Sequence, residues 1–174
     1  MSEQENLFED GLEQNPLGRI IIGNLIMFFW FALGALACWY FYPILGLLYF
    51  VVAFLLVYVV LRKLVCVNCY YYSKWCGLGW GKLSALMFKK GCLEEFPKSI
   101  GLKLAPATYG VLMIVPLILL IVSIIQSFFW YKIIVLILLL LVSWYSSGVG
   151  RSVACANCKM NIICPGSTTK KKKK

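Results

Sequence analysis

A chain of 174 residues, 61% hydrophobic and 14% charged with a mean hydropathy of +0.83, is too apolar for an ordinary soluble domain. It has no histidine, which excludes imidazole metal sites, His-ligated haem and Ser–His–Asp catalysis. The net charge of +10 invites a nucleic-acid role, but the distribution of lysine and arginine argues for a membrane surface and no nucleic acid.

The chain opens on an acidic stretch (Glu3, Glu5, Glu9, Asp10, Glu13) that ends at Pro16 and lacks the basic start of a cleavable signal. Residues 1–18 are expected to be a cytoplasmic N-terminal segment. Residues 20–61 then carry no charge at all. A spanning helix needs about 20 residues, so this run makes two passes. The aromatic cluster Trp39, Tyr40, Phe41, Tyr42 and the helix breaker Pro43 mark the turn between them. The predicted helices are Ile20–Trp39 and Ile44–Leu61, within a first transmembrane hairpin, 19–65.

A Cys-rich loop follows, 66–106, opening on CVNCYYYSKWC. Tyr70, Tyr71, Tyr72 and Trp75 read as an aromatic belt at the membrane boundary. Beyond them Trp80, Leu83, Leu86 and Met87 recur at helical spacing among Lys82, Lys89 and Lys90, which predicts a short helix in the headgroup plane. The second transmembrane hairpin, 107–150, splits at Phe128, Phe129, Trp130 and Tyr131 into Ala107–Ser127, with a kink expected at Pro116, and Ile133–Gly150. A second Cys-rich segment, 151–166, and a polybasic tail, 167–174, complete the chain. Lys170–Lys174 should be drawn to anionic lipid headgroups.

Four spans place the N-terminus, the 66–106 loop and the tail on one side. That side carries 16 of the 17 lysines and arginines, and Lys132 stands alone on the other. The positive-inside rule makes the basic side cytoplasmic, with the loop cysteines in it. Reducing conditions there disfavour disulfides.

Shifted by 89 positions, the halves align without a gap: Tyr42 on Tyr131, Ile44 on Ile133, Arg62 on Arg151, and Cys66-Val-Asn68-Cys69 on Cys155-Ala-Asn157-Cys158. A further cysteine follows in each half, Cys76 and Cys164. The expected fold is therefore an all-α integral membrane protein. Its four transmembrane helices form two parallel-repeated hairpins, carrying cytoplasmic Cys-rich metal knuckles and a short interfacial helix.

C-x2-C is the spacing at which two thiolates converge on one ion, and it resembles zinc ribbons and rubredoxin-type sites in that spacing alone. The candidate ligands are Cys66, Cys69, Cys76, Cys92, Cys155, Cys158 and Cys164. One arrangement shares a tetrahedral site between Cys66, Cys69, Cys155 and Cys158. Another gathers Cys66, Cys69, Cys76 and Cys92, leaving Cys155, Cys158 and Cys164 as a three-thiolate site. Zinc is favoured. An iron–sulfur cluster or iron is the alternative, and Cys164-Pro165 is similar to the ending of bacterial ferredoxin motifs. Arg62, Lys63, Lys74, Arg151 and Lys159 are expected to lower the thiol pKa values. Cys38, within the first helix, reads as a small apolar residue.

Inside the spans there are no acidic residues, which argues against ion-coupled transport, and Asn24 suits an interhelical hydrogen bond. Nothing resembles paired catalytic carboxylates or a nucleophile–base pair, so an enzyme is not the favoured reading. The sequence points to a metal-binding membrane protein with a structural or docking role and a possible cytoplasmic protein partner. A membrane redox subunit and a soft-metal carrier are the alternatives.

Overall fold

A computed structural model describes residues 7–170. The described residues are helical and form no sheet; Leu12 and Cys158 make an isolated bridge. Four helices are long and apolar enough to cross a membrane: α1 (Leu17–Trp39), α2 (Pro43–Asn68), α4 (Ile100–Gln126) and α5 (Trp130–Ala156). The short α3 (Trp80–Met87) lies between the two pairs. Helices are the natural solution here, because in lipid each backbone N–H and C=O must find its partner within its own segment. The chain is thus a multi-pass membrane protein.

α1 is the hub and packs against α2, α4 and α5. Gly34 lets it approach α2 closely: a Cβ there would lie 2.5 Å from the Tyr49 hydroxyl. Tyr49 is then free to donate from α2 to the Leu112 carbonyl of α4 at 2.6 Å. Trp30 Nε1 donates to Ser143 Oγ at 2.8 Å, joining α1 to α5. Each such bond satisfies a polar group that lipid would leave unpaired. Cys38 is buried in this core, as its apolar surroundings predict. Leu25, Phe28, Ile44, Ile118 and Leu141 are exposed and present an apolar face to lipid.

Asn24 makes the predicted tertiary hydrogen bonds. Its Nδ2 donates to the Leu78 carbonyl at 2.9 Å, and its Oδ1 accepts from the Tyr58 hydroxyl of α2 at 3.1 Å. Tyr58 belongs to a π-turn, Leu56–Val60, inside α2, and a second π-turn, Ser146–Gly150, interrupts α5 just before Arg151. Such turns insert a residue into a helix and are frequent at functional sites.

The helix ends differ from expectation. α2 and α5 continue into the cysteine motifs, so Cys66 and Cys155 sit in final helical turns. α4 begins at Ile100, seven residues before the expected Ala107. Ser99 caps it, its Oγ accepting from Gly101 N at 3.2 Å, while Gly101 packs tightly on Leu64 and Val65. That cap and packing offset the hydrogen bond lost at Pro106. Lys171–Lys174, most of the basic tail, and the acidic Glu3 and Glu5 lie outside the described residues.

Lys132 is buried rather than a free basic group on the far side. Its Nζ lies 2.9 Å from both the Ser123 carbonyl and its Oγ, and 2.9 and 2.7 Å from the carbonyl and Oγ of Ser127. The ammonium thus closes the C-terminal end of α4, where helix carbonyls are unpaired and the dipole is negative. Lys132→Met is expected to cost about 2 kcal/mol of stability, measured by unfolding in detergent. Unchanged stability would show that the ammonium does not hold this turn.

Candidate functional site

Each C-x-N-C motif folds into the same turn. Cys69 N donates to the Cys66 carbonyl at 3.4 Å, Tyr72 N to Cys69 at 3.0 Å and Lys74 N to Tyr71 at 2.9 Å. The second copy repeats these bonds 89 positions later: Cys158 N to Cys155 at 3.2 Å, Asn161 N to Cys158 at 3.0 Å and Ile163 N to Met160 at 3.1 Å. Tyr71 and Met160 therefore hold equivalent positions. Both are buried, and they meet with Phe96 in one small core against which Cys69, Cys76, Cys158 and Cys164 pack. The two motifs come together at one end of the bundle.

The N-terminal segment straps this assembly. Phe8 N donates to the Lys159 carbonyl at 2.9 Å, and Leu12 N to that of Asn157 at 3.0 Å. Gly11 lies so close to the Lys159 backbone that a Cβ would sit 2.7 Å from its nitrogen. Lys159 Nζ is 3.8 Å from Glu13, a weak exposed pair. The Tyr71 hydroxyl joins all three pieces, donating to the Leu12 carbonyl and accepting from Lys159 N at 3.1 Å. Tyr71 is 3% exposed, so it is a structural joint and not a belt residue.

The predicted ligands divide by position. Cys66, at the end of α2, lies 4.0 Å from Arg62 Nη1, and Cys76 Sγ accepts from Trp80 N at 3.1 Å. The Cys155 carbonyl accepts from Asn161 Nδ2 at 2.6 Å. Cys92 is exposed, unlike the other six. It follows Gly91, whose N–H reaches the Val67 carbonyl, so its backbone borders the first motif. Among the described residues no three Cys, Asp or Glu side chains converge tightly enough to hold an ion as they stand.

Burial governs the thiols more than the nearby cations do, contrary to the expected lowering of their pKa values. Desolvation pushes Cys158 up to about 11, against an ordinary 9.0, with Cys164, Cys155 and Cys76 adding to the rise. Cys69 is raised well above the ordinary range for the same reason, with Cys66, Cys158 and Cys76 as further causes. Cys164 is also raised, by burial first, although Arg151 pulls the other way. Cys69 thus senses the charge of Cys158, its equivalent in the second copy.

Two contributors escaped the sequence reading. Arg62, expected just past the end of the second helix, is 0% exposed, and its guanidinium carbon sits 2.9 Å from the centroid of the Trp80 ring. Trp80 opens α3, whose N-cap Gly79 has φ +71°, a conformation glycine adopts without strain. A Cβ on Gly81 would strike the Tyr71 carbonyl, so glycine is needed for α3 to close over the motif. Ser84 is buried on the same face. On the other, Leu86 and Met87 are exposed near Lys82, Lys89 and Lys90, as an interfacial helix requires. The missed signal for Arg62 was its spacing, four residues before Cys66 on a continuing helix.

In metal-free protein at neutral pH, a maleimide should label Cys92 first. Cys158 should follow slowly, its rate climbing with pH toward 11, because only the thiolate reacts. Peptide mapping reads each site; equal rates at the two cysteines would contradict the burial seen here. Tyr71→Phe removes the shared hydroxyl and is expected to speed proteolysis within residues 7–16 several-fold, with the spans intact. An unchanged cleavage rate would show the strap to be held elsewhere. No family model, curated protein or solved structure matches the chain.

Proposed function

We propose that this chain is a non-enzymatic membrane protein whose joined cysteine motifs bind metal, zinc before iron, and thereby lock its two hairpins into a docking surface. The observation that carries this reading is the meeting of the two motifs. Cys69 and Cys76 from one, and Cys158 and Cys164 from the other, pack on the single core of Tyr71, Phe96 and Met160. Two C-x2-C turns brought together supply the all-sulfur donor set that suits zinc, which imposes no redox chemistry and tolerates a closed tetrahedral site. The backbone N–H of Trp80, aimed at Cys76 Sγ, is the kind of outer contact that supports a thiolate ligand.

In this reading the N-terminus, both motifs and the tail are cytoplasmic, where thiols stay reduced and the basic residues face anionic lipid. The exposed Leu86, Met87 and nearby lysines of α3 rest on the membrane surface beside the metal element. A cytoplasmic partner would dock on the strap and the second motif.

The test is element analysis of full-length protein purified in detergent, aerobically and anaerobically. Zinc bound in stoichiometric amount, lost in both Cys69→Ser and Cys158→Ser, is the expected result and shows a centre built from both copies. Visible absorbance that bleaches with dithionite would assign iron–sulfur chemistry instead. Neither metal, with all thiols titrating freely in the folded protein, would overturn the metal reading.

A further inference from the structure

Arg62 is a charged side chain buried without a carboxylate beside it. It is fully buried, and its Nε and Nη2 have no hydrogen-bond partner. The acidic residues described, Glu9, Asp10, Glu13, Glu94 and Glu95, are all exposed, and the ion pair formed is that of Lys159 with Glu13. A buried guanidinium with no carboxylate costs several kcal/mol unless another anion offsets it. The Trp80 ring at 2.9 Å and the Tyr58 ring at 5.1 Å attract the cation and shut out water, but neither carries a charge.

What lies beside Arg62 is sulfur. Nη1 points at Cys66 Sγ from 4.0 Å, and Trp80, the residue covering Arg62, donates its backbone N–H to Cys76 Sγ. Cys66 Sγ thus faces the buried cation itself, and Cys76 Sγ accepts from the backbone of the residue that covers it. The second copy lacks this arrangement. Arg151 is exposed, and its Nη2 is occupied by the Gly166 carbonyl at 2.7 Å.

We infer that Arg62 is the built-in counter-cation of an anionic metal–thiolate centre whose nearest sulfurs are Cys66 and Cys76, so that the first motif is its tight-binding pole. This rests on the metal reading above. A divalent ion held by four thiolates, each having released its proton to solvent, carries a net charge of 2−, which a buried site must neutralise. Arg62 supplies half of that from a position that water cannot reach, and its free Nε–H and Nη2–H groups remain to donate to the sulfurs. Arg151, solvated, contributes little.

The experiment is titration of metal-stripped, full-length protein with Co2+, followed by its sulfur-to-cobalt absorbance, alongside thermal unfolding of the metal-free form. Arg62→Met is expected to weaken cobalt binding by about tenfold or more while leaving the metal-free protein as stable as wild type or more so, because it deletes an unpaired buried charge. Arg151→Met should bind cobalt as wild type does. Arg62→Lys keeps the charge without the flat stacking surface and should bind within about threefold of wild type. It also provides a reading if the methionine variant does not fold.

Wild-type affinity in Arg62→Met overturns the inference and leaves the metal reading standing. So does a parallel loss of affinity and metal-free stability in that variant, which would make Arg62 a packing residue for Trp80. A tenfold loss in Arg62→Lys equally overturns it. A wild-type protein that takes up no Co2+ overturns the metal reading and this inference together.

Discussion

The hydroxyl of Tyr71 is the joint on which the cysteine-bearing end of the molecule depends. It is the point where the N-terminal strap, the first motif and the second motif are hydrogen-bonded to one atom. Buried polar groups must be paired, so losing any one of the three strands would leave an orphan donor or acceptor beside an apolar core. Met160, the equivalent residue in the second copy, has no such hydroxyl. The two copies therefore differ at a place where they meet, and the asymmetry makes a single joint possible.

A second asymmetry runs through the arginines. Equivalent by position, Arg62 is sealed under Trp80 whereas Arg151 faces solvent. The cover comes from α3, which lies in the connection after the first motif, and Gly79 and Gly81 let it close down. Among the described residues no equivalent helix follows the second motif. Two near-identical turns thus sit in different electrostatic surroundings. Chemistry that depends on buried charge will treat them differently.

Much of this architecture is legible in the residues. Uncharged runs of the length that lipid demands, broken by Trp39–Pro43 and Phe128–Tyr131, locate four spans and their turns, because charge is excluded from the hydrocarbon core. Asn24 was legible for the same reason: a lone amide in a span needs a partner. The 89-residue echo anticipates the matched hydrogen bonds of the two motifs. What escaped are features set by tertiary contact. Arg62 looked like a charge that ends a span, yet the helix continues past it and α3 covers it. Tyr71 was one of three like neighbours, and only packing distinguishes it. Pro106 hid the start of α4, because the Ser99 cap lies upstream of it. Lys132 stood alone on its side in the sequence, and only the fold brings the bare carbonyls at the end of α4 within its reach. The thiols, surrounded by cations in sequence, are dominated by desolvation in space.

The strap of residues 7–16 bears on how the molecule comes to be assembled. It precedes all four spans, whereas its partners, Asn157 and Lys159, follow them. All four spans must be made before those partners exist to receive it. Closure of the strap therefore depends on α5: a chain that lacks it cannot form the hydrogen bonds to Asn157 and Lys159. The cysteine-bearing end thus takes the form described only once all four spans are in place.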